Sequence, residues 1–382
     1  MRLGDCCKTN LHTYSDKEKW SLIRYLDTGS ITEGRIDEIQ TLYPGVDKIP
    51  SRARRKASVG DILFSTVRPN QKHYGIIEVG TENLLVSTGF TVVTVDTTIA
   101  GPYFIYYYLT QSSVIESLQA IAEQSTSTYP SIKPSDIEDI ELDLPELETQ
   151  KKIGSTLRML DRKIALNEEI NDNLQQQAAA LFSSLYDRTN TEVRFTDLIQ
   201  ILGGGTPKTG ENTYWNGNIA FFTPKDVGTP YTLITEKTIT EEGLSHCNSR
   251  LYPVNTVFVT ARGTVGKVGM SGVPMAMNQS CYALVGKETH QLLVYFYTLK
   301  AVDRLKHTAS GAVFDAITTR DFESEQIMKL SDDDAKAFLC IAEPMFQKVL
   351  NNCIENLRLS TLRDSLLPKL MSGEVDVSAV QL

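Results

Sequence analysis

Moving along the chain by 185 residues lays one long helical stretch on another. In the first stretch, positions in alternating 4-3 spacing are Ile153, Leu157, Leu160, Ile164, Asn167, Asn171, Leu174, Ala178, Leu181 and Leu185. Adding the offset gives Phe338, Ala342, Met345, Val349, Asn352, Asn356, Leu359, Arg363, Leu366 and Leu370. Apolar residues held in that spacing over about five heptads make a coiled-coil seam rather than an ordinary surface helix. The two asparagines recur at the same offsets, which two unrelated helices rarely achieve. Such a repeat decides architecture before any local propensity does.

The segment entering each helix repeats as well. Tyr129, Ile132, Asp136 and Glu138 fall on Phe314, Ile317, Asp321 and Glu323. Further upstream the match loosens. The run Val59–Thr66 resembles Val254–Ala261, each followed within two residues by an arginine, Arg68 and Arg262. Val86-Ser-Thr-Gly89 lies where Met277-Asn-Gln-Ser280 lies. Strand-like stretches are Ile62–Val67, Phe90–Val95, Val257–Ala261 and Cys281–Val285. Shorter helices are expected at Tyr103–Gln119 and Gln291–Leu305. Pro344 should bend or delay the second long helix, and Pro368 should kink its end.

The expected fold class is α+β. Two mixed α/β domains are separated by two long antiparallel coiled-coil helices in a pseudo-two-fold repeat. The expected boundaries are 1–147, 148–187, 188–331 and 332–382, the last with a C-terminal tail. If the helices pack antiparallel, Asn167 meets Asn356 and Asn171 meets Asn352. The layers then pair Ile153 with Leu370, Leu157 with Leu366, Ile164 with Leu359 and Leu174 with Val349. Leu160 meets Arg363, whose stem packs while its head reaches water.

Several chemistries lack their residues. No methyltransferase motif, Gly-rich methyl-donor loop or phosphate loop is complete; Gly205–Glu211 ends in Glu where Lys is needed. The five histidines are scattered, and His246-Cys247 is not a metal-ligand spacing. The six cysteines form no C-x-x-C pair and suit a reducing compartment. The reading is therefore no metal and no cofactor in this chain, no membrane span, no signal peptide and a cytoplasmic location.

What remains suits nucleic acid. The net charge is −9, yet residues 51–75 hold Arg52, Arg54, Arg55, Lys56, Arg68 and Lys72 against Asp61 alone. Ser51–Lys56 reads as a basic loop whose forked guanidiniums fit phosphates and guanine edges. Asn70 and Gln71 add amides of the kind that pair with adenine. In the second half Thr206, Lys208, Arg262, Thr264, Lys267, Asn278 and Gln279 offer a similar mix of donors and small residues.

Over essentially its whole length the chain resembles the specificity subunits of Type I restriction–modification systems. The phrases that carry this are Leu366–Asp376, Leu144–Ile153, Ser51–Arg55, Ser65–Asn70, Gly203–Pro207 and Thr264–Lys267. The resemblance implies a non-catalytic subunit that reads a split, asymmetric double-stranded DNA target, one half per domain. It implies as partners two modification subunits, which carry the methyl donor S-adenosylmethionine, and motor-nuclease restriction subunits. The end of the first helix, Leu181–Tyr186, departs from the phrase that closes the second. A helix of roughly 50 Å would suit a spacer between half-sites about 34 Å apart. Two other readings stay open: the recognition part of a combined restriction–modification enzyme, and a two-domain adaptor that binds no DNA.

Overall fold

A computed structural model describes residues 1–125, 129–228, 230–308 and 316–379. It divides into two compact units. The first comprises Met1–Lys163 with Leu359–Leu382, and the second Ile164–Arg358. Phe314, expected to correspond to Tyr129, lies outside the described residues.

Unit 1 opens with α1 (Leu3–Cys6), β1 (Cys7–Thr9), β2 (Ile23–Leu26), β3 (Ile31–Thr32) and β4 (Arg35–Ile36). It continues with β5 (Gln40–Leu42), β6 (Ala53–Lys56), β7 (Ile62–Ser65), β8 (Tyr74–Ile76), β9 (Leu84–Ser87) and β10 (Phe90–Val95). Helices α2 (Pro102–Leu109), α3 (Ser112–Glu123), α4 (Pro134–Glu138) and the first part of α5 (Leu147–Tyr186) follow. One sheet has the antiparallel order β1-β10-β7-β8. The other runs β5-β2-β9-β6 with β2 and β9 parallel.

Unit 2 carries the rest of α5, then β11 (Glu192–Arg194), α6 (Phe195–Leu198), β12 (Ile199–Gly203), β13 (Trp215–Phe222) and β14 (Tyr231–Thr232). Next are β15 (Lys237–Ile239), α7 (Glu241–Ser245), β16 (Val257–Thr260), β17 (Val268–Ser271), β18 (Met275–Met277) and β19 (Cys281–Gly286). Helices α8 (Gln291–Thr308) and α9 (Thr319–Ser324), strand β20 (Gln326–Met328) and α10 (Asp332–Met371) complete the list. Its larger sheet has the order β12-β19-β16-β17-β14, its smaller one β15-β13-β18 with β13 and β18 parallel.

The globular parts repeat in backbone far better than in sequence. Strands β1, β10, β7 and β8 correspond in order to β12, β19, β16 and β17. Individual hydrogen bonds recur too. Leu3 N–H donates to Ile140 O, and Phe195 N–H to Glu325 O, at 2.8 and 2.9 Å. Asp96 N–H donates to Cys6 O, and Lys287 N–H to Leu198 O. Asp136 and Asp321 each cap the helix they begin, accepting from the backbone N–H of Lys133 and Thr318. What recurs is mainly backbone, with a few side chains such as these capping aspartates, and most side chains outside the cores differ.

The long helices pair within each unit. In unit 1, Ile153 and Leu157 share a core with Leu366 and Leu370. In unit 2, Ala178 and Phe182 share one with Phe338, Ala342 and Val349, and the Phe182 ring meets Phe338 edge-on at 5.4 Å. Early residues of α5 therefore meet late residues of α10 and vice versa, which is antiparallel pairing. Each fully buried Leu or Phe contributes roughly 1.5–3 kcal/mol. Between the apolar layers, Asn167 donates to Asn356 Oδ1 and Asn352 to Asn171 Oδ1, both at 2.8 Å.

Four local expectations need correction. Tyr103–Gln119 is not one helix: α2 ends at Leu109, and Gln111 turns to extended backbone as the N-cap of α3. Pro344 does not delay α10, which starts three turns earlier at Asp332. Acidic Asp332, Asp333 and Asp334 sit in its first turn, where they oppose the helix dipole. The Arg363 head is only partly open to water, because it donates to Asp161 at 2.7 Å and bridges Asp364 at 2.8 Å. Finally, the basic run after Ser51 is not a loop, since Ala53–Lys56 is the edge strand β6. There Tyr14 N–H donates to Arg54 O and Lys56 N–H to His12 O, using main-chain groups that a loop would leave to water. Among the described residues no helix is long and apolar enough to cross a membrane.

Candidate nucleic-acid interface

In each unit the parallel strand pair places a short loop next to an arginine at the end of a central strand. In unit 1, β2 and β9 lie in parallel register, with Leu26 beside Val86. This sets the loop Ser87-Thr88-Gly89. Thr66, just beyond β7, donates its N–H to Gly89 O at 2.8 Å, and Arg68 follows two residues later. Thr88 N–H donates to Arg52 O at 2.9 Å. The structure thus brings Arg52 and Arg68 to the two flanks of one loop. Below it, burial pushes the Tyr25 phenol up to about 12, with Asp27 reinforcing the shift and the Ser87 hydroxyl opposing it. Tyr25 therefore stays a neutral donor, and its hydroxyl donates to Asp27 at 2.8 Å.

Unit 2 repeats this arrangement with other side chains. Phe222 of β13 lies beside Met277 of β18, which sets Asn278-Gln279-Ser280. Ala261 N–H donates to Ser280 O at 2.8 Å, and Arg262 N–H to the same oxygen at 3.3 Å. The Thr206 hydroxyl donates to the Gln279 side-chain oxygen, and Thr264 to Pro224 O at 3.2 Å. Asn278 turns its own side-chain oxygen back onto Ser280 N–H at 3.0 Å. The glycine run explains how these loops approach so closely. A Cβ on Gly204 would sit 2.2 Å from Asn278 O, and one on Gly205 would sit 2.6 Å from Asn248 N. Thr206, Arg262, Thr264, Asn278 and Gln279 therefore gather at one end of unit 2.

Other sequence-selected residues lie elsewhere or are already engaged. Lys56 pairs with Glu18 and lies 5.1 Å above the Trp20 ring. Lys72 bridges Glu33 at 2.5 Å. Burial lowers the Arg55 pKa, and its Nη1 is buried without a hydrogen-bond partner. Arg54 borders a cavity of about 390 Å³ walled by Tyr14, Trp20, Ile49 and Pro50. Asn70 and Gln71 are exposed in the single turn Pro69–Gln71, with Asn70 N–H donating to Gln119 at 3.2 Å. In unit 2, Lys208 is exposed and its carbonyl accepts from the Trp215 indole at 3.2 Å. Lys267 is exposed, and its backbone is held by the Thr260 hydroxyl.

Tyr129 was visible in the sequence as a repeat position but not as a functional one. Its ring lies 5.3 Å from the Arg68 guanidinium carbon. Arg68 and Lys72 both have left-handed backbone, at φ 48° and 57°. Such φ values are uncommon for side-chain-bearing residues and concentrate where function demands them. No group of three or more His, Cys, Asp or Glu among the described residues could hold a metal ion.

Comparison with known proteins agrees with this geometry. The chain is 24% identical to the Type I restriction enzyme HindI specificity subunit of Haemophilus influenzae over a gapped alignment 455 positions long that covers 98% of each chain. It is 22% identical to the MjaIX specificity subunit of Methanocaldococcus jannaschii, over 83% of this chain and 78% of that one. An Escherichia coli relative, the EcoR124I/EcoR124II specificity subunit, is 32% identical over 37% of each chain. Among solved structures, the Type I restriction–modification S subunit from M. genitalium shares the fold, with a TM-score of 0.61 at 16% identity over 97% of this chain and 95% of that one. The family model described as "Type I restriction modification DNA specificity domain" matches residues 48–176 and 188–329. Those two segments make up more than half of the sequence, one in each half of the repeat, and the chain belongs to the Type I restriction–modification DNA specificity family.

Proposed function

We propose that this chain is the non-catalytic subunit that reads DNA sequence for a Type I restriction–modification complex, and that its target is split and asymmetric. One observation carries the reading: the same backbone scaffold, loop and strand-end arginine occur twice and bear different side chains. Unit 1 offers Arg52, Thr88 and Arg68, and unit 2 offers Thr206, Gln279 and Arg262. Arginine and amide side chains read base edges in the major groove, whereas phosphate contacts set position. Two unlike readers on a repeated frame match two unlike half-sites. On this reading residues 1–147 and 188–331 are the target-recognition domains, and 148–187 and 332–382 are spacer helices.

Its partners would be double-stranded DNA, two modification subunits and restriction subunits. The repeated helices support two similar docking surfaces for modification subunits. S-adenosylmethionine would reside on those subunits. The cytoplasm would house the complex, in keeping with six cysteines that form no disulfide. The test is selection from a random duplex pool by the chain assembled with its modification partner. Recovery of one split motif, with binding that weakens as salt rises, supports the proposal. Recovery of no common sequence refutes it.

A further inference from the structure

Resting on that reading, we infer that Tyr129 is a positioning residue that holds Arg68 for base readout. Among the basic residues of 51–75, Lys56 and Lys72 each meet a carboxylate, which offsets their charge, and Lys56 also lies over the Trp20 ring. Arg68 lies against a ring face without a carboxylate partner. Stacking a guanidinium on an aromatic face uses its π surface and leaves the in-plane N–H donors unspent. Among the described residues Arg68 makes no ion pair, and its residue is exposed.

The backbone around Arg68 is fixed by the same segment that supplies Tyr129. Arg68 N–H donates to Pro130 O at 3.0 Å, Val67 bridges Ser131, and Ile132 N–H donates to Thr66 O at 2.9 Å. The left-handed φ of 48° turns the chain sharply at Arg68, next to the loop Ser87–Gly89 that Thr66 also holds. Segment 129–132 is thus a brace laid across the strand end. Backbone and side chain of one arginine are both immobilised by it.

Unit 2 repeats the brace independently. Arg262 bridges Ala316, and Ile317 N–H donates to Ala261 O at 2.9 Å. These are the positions 185 residues after Ser131 and Ile132. In this register Ala261 takes the place of Thr66 and Gly263, at φ 82°, the place of Arg68, while Arg262 stands one position earlier on the braced strand end.

Fixing a long side chain before binding removes an entropy cost that association otherwise bears. The expected consequence is selective: preference at one base pair, with the salt dependence of binding unchanged. Tyr129→Ala, Tyr129→Phe and Arg68→Ala are compared in the complex with the modification partner. Binding is titrated on the selected duplex and on single-base-altered duplexes at several salt concentrations. Tyr129→Ala should lower discrimination by roughly two- to tenfold, at the same base pair that Arg68→Ala affects. Tyr129→Phe, which keeps the ring, should restore it. Assembly and salt slope should match the parent chain for both Tyr129 variants. If Arg68→Ala relaxes one position and Tyr129→Ala relaxes none, the positioning role is wrong while base reading by Arg68 stands. If Arg68→Ala relaxes no position, both fall. If Tyr129→Phe fails to rescue, stacking is not the means.

Discussion

Asn352 donates its side-chain amide to Asn171 at 2.8 Å across the paired long helices, and its own side-chain oxygen is buried without a partner. The neighbouring Asn167–Asn356 layer is similar, with Asn167 Oδ1 unsatisfied. Both layers therefore cost stability relative to an apolar seam, and such polar layers serve register rather than strength. Asn352→Ala alone should destabilise by about 1–3 kcal/mol, because Asn171 loses its donor. The double variant Asn171→Leu with Asn352→Leu should recover that loss or exceed the parent. Chemical denaturation of the three proteins checks both signs.

A charged pair does comparable work in unit 1. Asp161 accepts from Arg363 at 2.7 Å and from the Tyr107 hydroxyl at 2.5 Å. Burial of the guanidinium would lower the Arg363 pKa, but Asp161 and Asp364 outweigh it and raise the value. Asp161→Ala leaves a half-buried guanidinium and a buried phenol short of an acceptor. It should cost roughly 1–3 kcal/mol, whereas Asp364→Ala, on the more exposed side, should cost about 0–1 kcal/mol. The difference in unfolding midpoints between the two variants is the readout.

Acid should loosen unit 1 through Glu78. Burial alone would raise its pKa, but the Arg158 and Tyr103 hydrogen bonds, with Arg162 nearby, bring it below the ordinary value. A depressed folded-state pKa gives stability that is complete above the unfolded value, about 4.3, and is lost as pH falls through the folded one. Glu78→Gln should therefore flatten the stability profile below about pH 4.3. Unfolding midpoints of parent and variant from pH 7 down to pH 3 test it; parallel profiles would remove Glu78 as a contributor.

The basic residues of unit 1 should separate into two groups. Arg52 is exposed, and only its backbone is used by Thr88. Arg52→Ala should reduce the salt slope of DNA binding by about 1 if the guanidinium contacts one phosphate, with no change in stability. Lys56→Ala should do the reverse, since it releases Glu18 and uncovers Trp20. Salt titrations and thermal unfolding on both variants distinguish the groups.

The helices and their asparagine layers were legible because a heptad seam is a one-dimensional pattern with a fixed period. The four strands read in advance were legible for the same kind of reason: Ile62–Ser65, Phe90–Val95, Val257–Thr260 and Cys281–Gly286 are near-continuous apolar runs. The edge strand Ala53–Lys56 was not, because Arg54, Arg55 and Lys56 carry no apolar period, and the strand is paired far along the chain, Ala53 with Ser87, Arg55 with Val86 and Lys56 with Leu85. The same limit applies to the candidate site. Gly204 and Gly205 let Thr206 reach Gln279, but that contact depends on a parallel strand pair no local spacing reveals. The engagement of Lys56 by Glu18, of Lys72 by Glu33 and of Arg68 by Tyr129 likewise joins residues 38, 39 and 61 positions apart.

The central claim is that each globular part reads its own half of the target. It is tested most directly by mapping methylated bases in DNA from a host that expresses the modification partner with either of two chains. One is the parent chain; the other has Met1–Asp143 exchanged for the corresponding domain of another specificity subunit. The expected maps are two split motifs that differ in one half and agree in the other. Maps that differ in both halves, or that contain no split motif, would contradict the claim.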